Sequence, residues 1–443
     1  TYGSNATFLN FQFEDKTGFD NKNQSLTGSL EYHYDISIEG LAEYLFETTY
    51  QRYAKLSRMQ AGTKKPYYFY DVTNYNWDMV NTDYVSNVLS SHIKDLLKLL
   101  GVPKSTVLYP KIVTNIFHSF GRLVDTKGDM LYLYSKKHPN LVQFHDIVYD
   151  MDTDKFAMMS DKFMLLHHHD YRIPTGYENY LENNSQRELL AEQGFIDLNI
   201  TDDELREKCS KLLERLSILH YDDDIEFILT VIGSLFRHDN SWQVAPIIVG
   251  GGALGKSMIY NEIIGVNAVG SSNFSTLGQD EIDNGSDFLV STLYGKELNL
   301  VTETNGSYLS PKFLVTFKRF GDNRDINKKF KEPFQASITA PTVMLGNTGQ
   351  IPGIPSSYSN DEGLRRRIFI VTCRDKSYKV KFQEEHGMTI REYFKMDELI
   401  AEVPYFTLLC IRTFMKNLYN GNISKLDDVY GATEKVIKGF TNE

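Results

Sequence analysis

The sequence predicts an α/β protein: a three-layer domain on a mostly parallel sheet in the second half, preceded by a mainly helical N-terminal region with a small β-containing unit. Three observations predict it. After residue 240, β-rich runs (APIIVG, ELNLVTE, APTVMLGN, RRIFIVTC) alternate with helical or polar stretches, as strands alternate with crossovers in a layered sheet. Between the first of these runs and the helical MIYNEII lies a glycine-rich loop closed by a lysine. Ahead of residue 130, apolar residues recur mostly at helical spacing.

Taken in order, the first thirty residues are polar and lack periodicity, which predicts an irregular lead-in with one strand. From Ile38 to Met59 the spacing of Leu41, Leu45, Tyr53 and Leu56 predicts a helix, ended by the breaker Gly62 to Pro66. Thr82 or Asp83 can cap a second helix carrying Val85, Val88, Leu89, Leu96 and Leu100, closed by Gly101 and Pro103. Residues 110–122 continue the helical pattern. Around 131–175, MLYLYS and LVQFHDIVYDM are rich in β-formers, and DYRIPTGY reads as an extended segment with a turn. Thr201 and Glu204 make a capping box ahead of Leu205, Cys209, Leu212, Leu213 and Leu216, and Asp222 to Asp224 open a helix reaching Phe236. Residues 393–420 return to helix. The expected divisions are 1–130, 131–200, 201–240, 241–378 and 379–443, for a chain whose 443 residues correspond to about three average domains.

Composition narrows the function classes. A 41% hydrophobic share with 13% aromatics excludes wholesale disorder. No run of 18 apolar residues and no secretory signal is visible, which predicts a soluble cytoplasmic protein with no membrane partner. Cys209, Cys373 and Cys410 lie far apart without a CxxC pair, against a cysteine-rich zinc module or a disulfide framework. A net charge of −11 means that any grip on nucleic acid comes from a local basic patch. A chain beginning at Thr1 without Met reads as a piece of something longer.

The strongest signal is Gly250-Gly251-Gly252-Ala253-Leu254-Gly255-Lys256-Ser257, a full G-x-x-x-x-G-K-[ST] match between strand and helix. Its glycines let backbone amides turn inward around a phosphate, Lys256 brings a point charge toward the β and γ phosphates, and the Ser257 hydroxyl can ligate Mg²⁺. At a glycine frequency of about 7% such a match arises by chance in roughly one or two chains per hundred of this length, and the flanking strand and helix make it rarer. ATP is favoured over GTP because no NKxD-like guanine reader follows.

A phosphate loop also needs a carboxylate at a neighbouring strand end, and Leu298 to Glu303 is an apolar run ending in one acid. Glu303 is the candidate for Mg²⁺ and water, against the alternative of a surface glutamate. Asn347, at the tip of the strand beginning at Thr342, can position water at the γ phosphate, although Asn-Thr-Gly is also an ordinary turn. Arg365, Arg366 and Arg367 precede the strand IFIV and can reach a neighbouring subunit's γ phosphate, or form a solvated charge run. Residues 318–332 hold six basic residues (Lys318, Arg319, Arg324, Lys328, Lys329, Lys331) against three acids, with Phe320 and Phe330 among them. This reversal of the chain's overall sign marks the DNA-contact candidate, the alternative being a solvated hairpin.

In this order, GGGALGKS, LNLVTE, KRFGD with its basic continuation, VMLGN and DEGLRRRIFIV resemble the motif series of superfamily three helicases, AAA+ motors of viruses, phages and mobile elements. Within that family the chain is most similar to the poxvirus-type primase-helicases. LVQFHDIVYDMDTDKFAMMS with DYRIPTGY resembles their pre-helicase segment, and EVPYFTLLCIRTFMKNLYNGNI the helix after the motor, so the likeness touches residues 130–420. It implies an ATP-dependent replicative DNA helicase, ring-forming and hexameric, working in the host cytoplasm with a primase or other replication proteins. It implies Lys256 and Ser257 for phosphate and Mg²⁺, Glu303 for the second motif, Asn347 for the sensor, Lys318 and Lys328 to Lys331 for DNA, and Arg366 or, favoured, Arg367 as the finger. Many relatives carry two adjacent acids where this chain has Thr302-Glu303. No primase acid pair is visible in residues 1–130. The alternative is an ATP-switched origin-binding or helicase-loading protein without processive unwinding.

Two further stretches stand out. His167-His168-His169-Asp170 suggests metal, yet consecutive histidines on a strand alternate faces, so those three alone make a poor ligand set. The tyrosine-rich YYFYDVTNYNW (67–77) can stack bases, or build core and subunit contacts.

Overall fold

The computed structural model describes most of residues 135–421. The exceptions there are 136, 161, 166, 240–241, 253, 285–286, 303–308, 319–321, 327–333, 348–360 and 366. Before that it describes 9–11, 34–36, 42–43, 53–55, 67–71, 75–80, 87, 90–95, 98, 114–115 and 118–119. The chain divides into two compact units, one of residues 1–73 and 77–131, the other of 74–76 and 132–443.

In the first unit β1 (Leu9–Phe11) pairs antiparallel with β2 (Tyr34–Ile36). β3 (Tyr53–Lys55), β4 (Tyr67–Asp71) and β5 (Asn76–Val80) form a three-stranded sheet in that order, with Tyr53 opposite Phe69. Residues 90–95 are helical, as their apolar spacing predicts. The helix expected over 38–59 is corrected at β3, and "mainly helical" is too strong for the described residues of this unit. Tyr53 and the tyrosines of β4 are β-formers whose cross-strand pairing outweighs weak helical spacing.

The second unit opens with β6 (Leu141–Phe144), β7 (Ile147–Asp150), β8 (Lys155–Met158) and β9 (His168–His169). Then come α1 (Glu178–Glu182), α2 (Asn184–Gln193) and β10 (Ile196–Asp197), which completes a sheet of order β10-β8-β7-β6-β9. The Thr201–Glu204 capping box starts α3 (Asp202–Lys208); α4 (Ser210–Leu219) and α5 (Asp222–Ser234) follow.

β11 (Ala245–Gly250) is buried at all six positions, as a central parallel strand requires. After it the chain winds into α6 (Met258–Gly270), a wide helix of the i→i+5 type. β12 (Phe274–Ser275), α7 (Gln279–Asn284), α8 (Asp287–Val290), β13 (Leu298–Val301) and α9 (Pro311–Lys318) come next. β14 (Asn323–Ile326) and β15 (Phe334–Ser337) form an antiparallel pair, before β16 (Thr342–Asn347), α10 (Glu362–Arg365) and β17 (Ile368–Thr372). α11 (Ser377–His386), α12 (Ile390–Tyr393) and the 24-residue α13 (Met396–Tyr419) close the described chain.

The second sheet is parallel throughout, in the order β12-β13-β16-β11-β17. Its strand alternation feeds two cores. Ile248, Leu298, Leu300, Leu345, Phe369 and Val371 join a large cluster with α4, α5 and α13, whereas Ala245, Ile247, Val249, Val301 and Met344 join a smaller one with Phe313 and Leu314 of α9. The unit is thus mixed α/β, with apolar packing on both sheet faces. Among the described residues no helix is long and apolar enough to cross a membrane.

Candidate functional site

In a parallel sheet, strands deliver their loops to one edge, and ligands of such sheets collect outside the carboxyl ends of the strands. Gly250 and Asn347 are register partners at the carboxyl ends of β11 and β16, so the glycine loop and the predicted sensor open side by side. Lys256, at the start of the helical turn that leads into α6, folds back over the loop. Its Nζ donates to Gly250 O at 2.7 Å and Gly251 O at 3.1 Å, and lies 3.4 Å from Asn347 Oδ1. The residue is only 8% exposed. Burial, then the neighbouring Lys376, pulls its ammonium below the usual lysine range. Ser257 is exposed beside it at the helix start.

The loop is braced from behind by a residue that no motif flags. Arg215 of α4, 1% exposed, donates from Nη2 to Leu254 O at 2.7 Å, while its Nε and Nη1 have no hydrogen-bond partner. Burial lowers it to about 10. Gly255 has φ +85°, and a β-carbon there would stand 2.1 Å from Arg215 Nη2, so glycine is required both by backbone and by space. The signal in the sequence was a charge on the apolar stripe of α4, between Leu212 and Leu219 at helical spacing. A second unflagged cation, Lys376, runs its methylenes over Gly251 closely enough that a β-carbon there would meet its Cε at 2.6 Å.

The end of α4 is fastened to β17 next to the loop. His220 bridges Cys373, Arg374 Nε donates to Ser217 O and His220 O, and Arg374 Nη2 pairs with Asp222 at 2.8 Å. Buried His220 takes a hydrogen-bonding contact with Tyr260 Oη at 2.9 Å and is pushed down to about 3, by burial first and then by the charges of Arg215 and Arg374.

The other expected residues are placed as follows. Gly250 to Gly252, Leu254, Gly255, Lys256, Ser257 and Asn347 converge at the carboxyl edge. Ala253, Glu303, Arg319, Lys328, Lys329, Lys331 and Arg366 lie outside the described residues, as do the side chains of Lys318 and Arg324. By backbone, Lys318 ends α9 and Arg324 is on β14; in the sequence, Lys328, Lys329 and Lys331 fall between β14 and β15. Arg367 is 7% exposed and sits at the opposite edge of the sheet, its carbonyl accepting from Ala245 N at 2.6 Å. β11 alone sets that edge roughly 17 Å from the loop. Its guanidinium donates to Gly363 O at 2.6 Å and to Gln243 Oε1, so it is engaged inside its own chain.

A family of unknown function, DUF5906, matches residues 248–367. This stretch runs from β11 to the arginines. No curated protein matches the chain. Among solved structures it is similar to the A form apo structure of the NrS-1 C-terminal region, with a TM-score of 0.42 and 13% identity, over 85% of this chain and 69% of that one. Two apo structures of NrS-1 residues 305–718 align with TM-scores of 0.32 and 0.35 and identities of 16% and 17%. They cover 45% and 46% of this chain, and 43% and 45% of those chains.

Proposed function

We propose that the chain is a P-loop ATPase of the AAA+ type, a superfamily three-like helicase that couples ATP hydrolysis to movement on DNA in the replication of a phage or mobile element. The observation that supports this most is the buried Lys256 ammonium, held by two loop carbonyls beside Asn347 at the carboxyl edge of a parallel sheet. A lysine so placed has given up water for weak neutral acceptors. An anionic phosphate is a far better partner, because charge-assisted hydrogen bonds are about twice as strong as neutral ones.

The chain's own groups then divide the work. Loop amides and Lys256 bind the phosphates, Arg215 holds Leu254 so that the loop keeps its shape, and Asn347 orients the attacking water. Ser257, exposed at the helix start, and Glu303 are the residues that would hold Mg²⁺, which offsets phosphate charge when bound. Water attacks the γ phosphorus, the bond to the β-bridging oxygen breaks, and Glu303 takes the water proton, leaving ADP and phosphate. A neighbouring subunit's arginine would stabilise the departing charge in a hexameric ring. Arg366 is the first candidate, since Arg367 is occupied within its own chain.

The test has two arms. Reversing Lys328, Lys329 and Lys331 to Glu is expected to abolish binding to single-stranded DNA while basal ATP hydrolysis continues, measured by fluorescence anisotropy and phosphate release. Strand displacement on a forked duplex is expected of the unaltered chain with ATP. ATP-dependent DNA binding without displacement would instead mark an origin-binding or loading protein, and hydrolysis indifferent to DNA would overturn both readings.

A further inference from the structure

The alternation that argued against three consecutive histidines as ligands also puts His167 and His169 on one side. His168 turns toward Asp170, its Nδ1 3.3 Å from Oδ1, while His167 and His169 are buried. There they meet His238, four residues beyond α5, and Glu297, the residue before β13. One ligand atom each from His167, His238 and Glu297 lie within 4.8 Å of one another. Nε2 of His238 and Nε2 of His169 are each 3.4 Å from Glu297 Oε1.

Ordinary hydrogen bonding does not account for this cluster. Glu297 is 2% exposed, yet neither carboxylate oxygen has a hydrogen-bond partner, nor does either nitrogen of His169 or Nδ1 of His167. A buried carboxylate whose nearest donors are two imidazole nitrogens out of hydrogen-bond geometry is a costly arrangement. A positive charge placed among these side chains would relieve it.

The missing positive charge fits a metal ion in distance, tautomer and support. Two ligands of a tetrahedral zinc, each bonded at about 2.05 Å, stand about 3.4 Å apart. His167 Nε2 lies 3.1 Å from Gly295 O, and a carbonyl only accepts, so Nε2 carries the proton and Nδ1 the lone pair. The backbones are pinned independently of any ion: His238 N donates to Pro139 O at 3.0 Å and Glu297 N to Asn273 O at 2.7 Å, while Asn273 Nδ2 donates to His168 O at 3.0 Å. Imidazoles with one carboxylate suit zinc, whereas magnesium and calcium prefer oxygen.

We propose that His167, His238 and Glu297, with His169 as the fourth group, form a binding site for a zinc-like divalent transition metal that ties β9, the segment after α5 and the start of β13 together. With His169 Nε2, 3.4 Å from Glu297 Oε1, closing in on binding to complete the set, no position is left open for water, so the ion is structural.

The full chain, stripped by chelator and dialysed, should take up one zinc ion per chain from ZnCl₂ in magnesium buffer, measured by mass spectrometry after desalting, and melt at a higher temperature. Co²⁺ in place of zinc should give the visible absorption of a tetrahedral nitrogen and oxygen site. Glu297→Gln, which keeps the shape and removes the charge, should lower zinc affinity by at least about tenfold with nucleotide binding retained. No stoichiometric zinc in the unaltered chain, or equal zinc affinity in Glu297→Gln, overturns the site. Should that variant fail to fold, the cobalt spectrum of the unaltered chain decides alone, and absence of the bands overturns the proposal.

Discussion

The second unit buries uncompensated charge in two places, and their signs are opposite. At the glycine loop the charges are positive: Lys256 and Arg215 are buried with only neutral acceptors around them among the described residues. At Glu297 the charge is negative, with Nε2 of His169 and of His238 each 3.4 Å from Oε1 and no hydrogen bond to either carboxylate oxygen. Neither arrangement is favourable by itself, since desolvating an ion is repaid only by a partner of opposite charge. The difference teaches what each place would accept on the readings proposed above: an anion with phosphate oxygens at one, a cation at the other.

The largest effect expected of this contrast is at the loop. Lys256→Ala should reduce ATP turnover by on the order of 10²–10³, the scale for removing one charge-stabilising donor, with zinc uptake unaltered. Phosphate release and metal content measured on the same sample check both halves. A variant that lost zinc along with ATP would mean that the two places are not independent.

Gly255→Ala comes next. The new β-carbon must sit at positive φ and against Arg215 Nη2, which should cost about 1–3 kcal/mol of stability, read by denaturant unfolding. Combining it with Arg215→Met should be less than additive, since the second change removes the atom that the first one strikes. Full additivity would show that the arginine has no contact with the loop in solution.

Arg215→Met alone sharpens the contrast most directly. Replacing an unpaired buried cation by an apolar chain of similar length should leave stability unchanged or raised. Loss of the bond to Leu254 should nevertheless weaken nucleotide binding about tenfold, or ~1.4 kcal/mol. Opposite signs from one substitution separate a brace for the loop from a mere core residue; titration with a fluorescent nucleotide and a thermal melt measure them.

How much of this was legible depends on where the partners lie in the chain. The loop's place could be read because its glycines, Lys256 and Ser257 are contiguous between an apolar strand and a helix. Asn347 was legible because it ends an apolar strand, and β16 does neighbour β11. Arg215 was not, because its partner Leu254 lies 39 residues away and spacing cannot tell a buried charge from an exposed one. The histidines show the limit from the other side: the alternation of His167, His168 and His169 was read correctly, but His238 and Glu297 arrive only through tertiary packing. β3 was misread for a similar reason. The eight-residue gap between Leu45 and Tyr53 left helical spacing weak there, and the pairing with β4 is non-local.

Near neutral pH the smallest effect is the protonation of His220, on the loop side. His220 is pushed down to about 3, well below the ordinary value near 6.5. The sign follows from proton counts. Above pH 6.5 both folded and unfolded chains leave it neutral, and its contribution is complete. As pH falls below 6.5 the unfolded chain takes a proton that the folded one refuses, so stability declines toward pH 3 with a limiting slope of about 1.4 kcal/mol per pH unit. Near pH 6 only part of that slope has developed, which makes the effect small there. His220→Gln keeps a polar contact for Tyr260 without titrating, and its unfolding free energy should fall less steeply between pH 6.5 and 4.5. Equal slopes for the two proteins would mean that His220 is solvated in solution and that α4 does not close over the loop's flank.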